Sequence, residues 1–217
     1  LADIHVSERL LNFIAFLPLF YLSIAMHEFS HALLANKYGD DTAKKLGRQT
    51  LNPLKHIDLI GSVLMPIAAF ASGFALIGWA KPVPIDRRNF KEPLKADAIV
   101  SFAGPFSNFL FAVLFFILFV IFDKSFGSAH AFVVNLMWYG VFLNIFLSVF
   151  NLLPIPPLDG SHILFDIFPN KFTAKYLNLG FYGSFILLIF IYSPLWGYFI
   201  RIINFILKLF LKTGGYE

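Results

Sequence analysis

The sequence predicts an all-α membrane protein: a polytopic helical bundle of about five to six membrane segments, with one re-entrant segment and a short extended edge strand. Three observations lead there. Of the 217 residues, 58% are hydrophobic and 14% charged, with 29 Phe and a mean hydropathy of +0.73, whereas a water-soluble domain carries about 25% charged residues. The apolar runs are too many and too long for a single buried core, and several approach the ~20 residues a helix needs to cross a bilayer. The basic residues gather in the connecting segments, the pattern that orients a polytopic chain. With a net charge of only +4, that pattern reports topology and excludes nucleic-acid binding as a partner class. The absence of cysteine removes disulfides, zinc–thiolate sites and thiol nucleophiles.

Residues 10–35 form the first membrane helix, with Pro18 as its expected kink and Gly39 as its stop. Residues 40–57 are polar and basic, with Lys44, Lys45, Arg48 and Lys55, and are expected to face the cytoplasm. Residues 57–79 are apolar but contain Gly61, Pro66, Gly73 and Gly78. Basic residues follow again at Lys81, Arg87, Arg88, Lys91 and Lys95. Basic flanks on both sides predict a segment that dips into the membrane and returns, which is tolerated only where protein or water covers the irregular backbone. Within 78–85, Pro82 and Pro84 at alternate positions predict an extended edge strand.

Residues 98–122 form a clear span in which Ala103-Gly104-Pro105 allows close helix approach. A short outside turn over 123–130 leads to a returning span over 131–153. That span ends in Asn151-Leu152-Leu153-Pro154-Ile155-Pro156-Pro157-Leu158-Asp159-Gly160, where the prolines unwind the helix and leave Asp159 on non-helical backbone near the cytoplasmic end. Residues 176–196 are expected to span once more, interrupted by Pro194. In the tail, Arg201, Asn204, Lys208 and Lys212 make a polar stripe that fits either a helix lying in the interface or a short final span. Residues 1–9 lack the basic start and small-residue cleavage site of a removed signal peptide. The chain reads as one integral-membrane domain over 1–217, with its core in 10–165 and C-terminal helices in 176–212.

The chemistry centres on His27-Glu28-Phe29-Ser30-His31. At about 100° per residue the two histidines share one helical face, so both imidazoles reach one metal ion, and two nitrogen donors at that spacing suit zinc. Glu28 lies at i,i+3 from His31 and can reach a metal-bound water without being a ligand. A lone histidine in an apolar helix is usually a hydrogen-bonded core residue. Three ionisable groups within five positions of a membrane helix, at roughly 2.5–3.5 kcal/mol each for charged types, require a compensating purpose. Catalytic zinc takes three protein ligands and leaves a position for water, so a third ligand is needed. Asp159 is the best placed, beside Gly160 and after the prolines; the alternative is a plain turn at the membrane boundary. If residues 57–79 crossed fully, Asp159 would emerge on the opposite face from His31 and could not bind the same ion; the basic flanks argue for re-entry independently, so the two lines agree.

These two motifs together resemble the site-2 protease family of intramembrane zinc metalloproteases. The resemblance extends to Ala103-Gly104-Pro105, to Asn52-Pro53-Leu54-Lys55-His56-Ile57-Asp58 and to Gly78-Trp79-Ala80-Lys81-Pro82-Val83-Pro84, as in the compact bacterial branch that lacks an inserted PDZ domain. It implies one zinc ion held by His27, His31 and Asp159, Glu28 as catalytic base, and Asn151 near the scissile carbonyl as an oxyanion donor. His56 is a weaker candidate for the same task or for substrate contact. Gly78, Trp79, Ala80 and Lys81 are expected to hold an unwound substrate by β-addition, the alternative being a lid over the cavity. The expected substrates are single-span membrane proteins or remnant signal peptides, and the expected setting is a lipid bilayer, the bacterial inner membrane. On the residues alone two other classes stay open: a membrane zinc hydrolase of non-peptide substrates, and a channel or transporter whose polar cluster binds an ion in transit.

Overall fold

The computed structural model describes residues 2–72, 78–126 and 130–216. Helix α1 (Ala2–Lys37) is 36 residues long and runs uninterrupted through Pro18. It stops where expected: Gly39 has φ +111°, a conformation open to glycine, and its backbone lies against the carbonyl of Asn89. After the short α2 (Thr42–Lys45) comes a 3-10 turn (Pro53–Lys55). Asp58 then caps a π-helical turn (Leu59–Leu64) by accepting from the amides of Ile60 and Gly61 at 3.1 and 2.7 Å. That turn continues into α3 (Met65–Ser72).

Residues 73–77, near the end of the expected re-entrant segment, lie outside the described residues. Its two ends are tied together. The amide of Trp79 donates to Gly61 O at 3.1 Å, Ser62 Oγ donates to Trp79 O at 2.8 Å, and the amide of Lys81 donates to His56 O at 2.9 Å. The expected edge strand is corrected: among the described residues there is no strand, and 78–86 carries no regular element. Its partner over 56–62 is a helical turn, not another extended segment, and Pro82 and Pro84 supply no donors for a ladder.

Helix α4 (Pro93–Phe126) is the central element, packed against α1, α5 (Ala131–Asn151) and α6 (Asp159–Ile167). Part of the expected outside turn, 127–129, lies outside the described residues. After α7 (Lys171–Leu177), with its Asn170/Thr173 capping box, the chain forms a 3-10 turn (Gly180–Tyr182), then α8 (Gly183–Tyr192) and α9 (Pro194–Gly214). Among the described residues four helices are long and apolar enough to cross a membrane: α1 from Leu10, α4, α5 and α9. The expected span over 176–196 is therefore corrected. Its α-helical part, α8, has ten residues, about 15 Å against a ~30 Å hydrocarbon core. The break falls at Ser193-Pro194, where the serine hydroxyl caps Leu195 and the proline takes the first helical position of α9.

The main core joins Leu19, Phe20 and Ile24 of α1 to Ala112 and Phe115 of α4, Val141 and Ile145 of α5, and Phe199, Ile203 and Leu207 of α9. Large apolar side chains such as Leu11, Ile14, Leu114, Ile121 and Phe205 point outward, as a lipid-facing surface requires. Helix α9 lies lengthwise along the bundle: Phe199 packs on Phe146 and Phe150, Phe210 on Phe109 and Phe116, and Tyr216 donates its hydroxyl hydrogen to Asp123 at 2.6 Å. Its stripe of Arg201, Asn204, Lys208 and Lys212 faces outward.

Candidate metal centre

His27 and His31 lie on consecutive turns of α1, both buried, with their rings at 82° and their Nε2 atoms 3.0 Å apart. Asp159 approaches from α6: Oδ2 is 3.1 Å from His27 Nε2 and Oδ1 is 3.4 Å from His31 Nε2. Asp159 occupies the first position of α6, so the expectation of non-helical backbone is corrected. A carboxylate there is favoured by the helix dipole. Gly160 serves close packing instead of a sharp turn, because a Cβ on it would overlap the carbonyls of Leu152 and Leu153 at the end of α5. That contact fixes the start of α6 against α5 and thereby sets the position of Asp159.

Both imidazoles have their Nδ1 hydrogens assigned by neighbours on α4. His31 Nδ1 donates to the carbonyl of Val100 at 2.7 Å, and His27 Nδ1 to Asn108 Oδ1 at 2.6 Å. Neutral rings in that tautomer present bare lone pairs at Nε2. Two lone pairs and a carboxylate therefore converge, and Asp159 Oδ2 is buried with no hydrogen-bond partner. This is a donor set that suits a cation and little else: the three ligand atoms lie within 4.8 Å of one another, with the nitrogen and oxygen donors typical of zinc. The space is kept by Gly104, where a Cβ would overlap Nε2 of both histidines.

Glu28 is also buried, and its Oε2 accepts the amide of Val83 at 2.7 Å. The stretch 78–83 thus runs from the 56–62 turn to the acidic side chain of the motif. Along it, the amides of Trp79, Lys81 and Val83 all face the protein, and Arg48 Nη2 donates to Lys81 O at 2.8 Å. Outside it, Leu46, Arg48, Lys81, Pro82 and Pro84 line a cavity of about 390 Å³. Just beyond, the loop is clamped by Arg87, which pairs with Asp166 of α6 and, at 3.2 Å, with Asp97 of α4. His162 Nδ1 adds a contact to Asp97 at 3.2 Å.

Two expected residues make their hydrogen bonds outside the convergent group. His56 is fully buried, but its Nε2 donates to Thr50 O at 2.8 Å, holding the 50–56 turn closed. Asn151 ends α5, and its side-chain nitrogen donates back to Leu147 O at 2.9 Å. Reading the sequence missed Asn108, Asn144, Val100 and the Val83 amide. Backbone partners leave no signal in residue types. Asn108 and Asn144 did leave one, since a polar side chain in the middle of an apolar span is a functional candidate by default.

The family profile described as Peptidase family M50 matches residues 15–132 and 120–191. The chain is 42% identical over 181 residues to "Putative zinc metalloprotease YwhC" of Bacillus subtilis (strain 168), covering 82% of this chain and 80% of that protein. It is 30% identical over 194 residues to Rip2 of Mycobacterium tuberculosis (strain ATCC 25618 / H37Rv), covering 87% of this chain and 71% of that one. It is 35% identical over 145 residues to Rip2 of Mycolicibacterium smegmatis, there spanning 51% of the relative's length. No solved structure matches the chain. On the family profile and these relatives, the chain belongs to peptidase family M50, the site-2 protease family of zinc metalloproteases.

Proposed function

We propose that this protein is an intramembrane protease that hydrolyses peptide bonds of single-span membrane proteins or remnant signal peptides, within the bilayer of a bacterial inner membrane and near its cytoplasmic side. The observation that carries the reading is the meeting of His27 and His31 of a membrane-length helix with Asp159, more than a hundred residues away, beside Glu28. The three would hold one zinc ion through both Nε2 atoms and the carboxylate. Zinc bound there supplies a water of pKa near 7 and polarises the scissile carbonyl. Glu28, with Oε2 held by Val83, accepts the proton from the attacking water at its other oxygen and delivers it to the leaving amine. Asn151 keeps one side-chain N–H beyond its bond to Leu147 O, and offers it to the developing oxyanion. His56 has a structural task.

The bonds joining Trp79 and Lys81 to the 56–62 turn support re-entry of 57–79 on one side of the membrane. They also leave the other edge of 78–81 for substrate: the Ala80 amide has no partner among the described residues, and the 390 Å³ cavity opens at its Lys81 end. An unwound substrate strand pairs there only briefly, because Pro82 and Pro84 donate nothing.

The test is cleavage of single-span candidate peptides by purified protein in nanodiscs, with and without a zinc chelator. Glu28→Gln is expected to keep one zinc per chain and lose cleavage by about 10²–10⁴-fold. Cleavage by Glu28→Gln at the wild-type rate, or labelling that puts Asp159 and His31 on opposite membrane faces, ends this reading.

A further inference from the structure

We infer that Asn108 and Asn144 form a hydrogen-bond relay of fixed polarity that sets the tautomer of His27; Asn108 is a positioning residue for that imidazole, and Asn144 acts through Asn108. The inference rests on the reading of His27 as a metal ligand.

Asn108, Asn144 and Ser23 are all fully buried, one each on α4, α5 and α1. An amide side chain has two donor hydrogens on one end and an acceptor on the other, and its orientation is ordinarily ambiguous. Here two backbone carbonyls, which can only accept, remove the ambiguity. Asn144 Nδ2 donates to Gly140 O at 2.9 Å and to Ser23 Oγ at 2.9 Å. Both its hydrogens are then committed, so Oδ1 is the atom that faces Asn108. Asn108 Nδ2 donates to that oxygen at 2.9 Å and to Ser23 O at 3.2 Å. Its hydrogens are committed in turn, leaving Oδ1 against His27 Nδ1 at 2.6 Å.

An amide oxygen cannot donate, so the hydrogen in that contact belongs to His27 Nδ1, and the lone pair of the neutral ring is driven to Nε2, the atom aimed at His31 and Asp159. Reversing Asn108 would set its oxygen against Ser23 O and Asn144 Oδ1. Reversing Asn144 as well would relieve only the contact between the two amides, leaving the conflict at Ser23 O and adding one at Gly140 O. With Ser23, Asn108 and Asn144 all fully buried, an acceptor set against an acceptor there goes uncompensated, so the polarity is locked at both ends. His31 receives the same tautomer from Val100 O without a side chain. Helix α4 therefore orients both ligands, one through its backbone and one through Asn108.

The relay separates from a packing role by which bonds a variant keeps. Asn108→Asp, kept protonated by its burial between two acceptors, retains an oxygen acceptor for His27 Nδ1 and one donor toward Asn144 Oδ1, and loses the donation to Ser23 O. Asn108→Leu loses everything. Zinc affinity is measured by chelator competition on full-length protein in nanodiscs, with helix content checked by circular dichroism. Asn108→Leu is expected to bind zinc about 10–100-fold more weakly than wild type, the usual effect of removing a ligand's hydrogen-bond partner. Asn108→Asp should stay within about threefold, and Asn144→Leu, which touches no ligand, should lose about three- to tenfold.

Equal loss in folded Asn108→Asp and Asn108→Leu overturns the inference in favour of simple packing, as does wild-type affinity in Asn108→Leu. Should Asn108→Leu fail to fold, Asn108→Asp decides alone: a loss beyond about tenfold in the folded variant sinks the relay. Unchanged affinity in folded Asn144→Leu removes Asn144 from it. Failure of wild type itself to bind zinc is a different result, which ends the reading of the metal site.

Discussion

The backbone amide of Val83 donates to Glu28 Oε2 at 2.7 Å, with both residues buried. Because Pro82 and Pro84 have no N–H, this is the sole backbone donor in the triplet 82–84. It fixes one oxygen of the acidic side chain and leaves the other for the proton transfer proposed for Glu28. Val83→Pro removes the hydrogen and Val83→Ala keeps it. Val83→Pro is expected to lower the turnover of a cleaved peptide by about 10–100-fold, in line with a charge-assisted bond of 1.5–3 kcal/mol. Val83→Ala should stay near wild type, and both should retain zinc. Equal turnover in the two variants would show that the amide is idle.

Gly104→Ala adds one methyl group, yet that carbon overlaps Nε2 of both His27 and His31. The variant is expected to stay helical and to lose zinc by about 100-fold or more, because helix propensity slightly favours Ala while the ligand atoms are displaced. Zinc content by elemental analysis, set beside circular dichroism, checks it. Full zinc occupancy in Gly104→Ala would mean the ion sits elsewhere.

Asp166 has its carboxyl pushed up to about 7, first by burial and then by the like charge of Asp97, against the opposing pull of Arg87. The groups facing it are Arg87 from the 78–90 loop and Asp97 from α4, with His162 of α6 touching Asp97. A carboxyl raised in the folded state gives stability that is full below the unfolded value of about 4 and is lost as pH rises toward 7. Wild type in nanodiscs or detergent should therefore show a downward slope of thermal stability between pH 4 and 7 from this group, and Asp166→Asn should flatten it. An unchanged slope in the variant would place the proton on another residue.

Helix α9 holds to the bundle through Phe199, Ile203 and Leu207, and Ile203 is fully buried. Ile203→Ala should destabilise the protein by about 2–4 kcal/mol through the cavity it leaves, measured by denaturant unfolding, with zinc binding unchanged. Loss of zinc in this variant would show that α9 supports the metal site as well as the core.

The membrane class, the first span with its glycine stop, the spans around α4 and α5, and the pairing of His27, Glu28 and His31 are legible in the order of residues alone. These follow from composition, from runs of apolar residues and from the helical period, all of which are local. The residue order also singles out Asp159, because a lone acid after three prolines is a conspicuous break in an apolar run. Whatever depends on distant residues meeting emerged from the packed fold. It placed Asp159 on the first turn of α6 against both histidines, cut the helix expected over 176–196 to the ten residues of α8 while giving α9 the length of a span, and turned 78–85 from a strand into an irregular segment whose Val83 amide meets Glu28. The same holds for the two asparagines behind His27. Hydropathy measures how readily a stretch enters lipid, whereas backbone amides, carbonyls and side-chain amides act through distances that exist only once α1, α4, α5 and α6 are packed together.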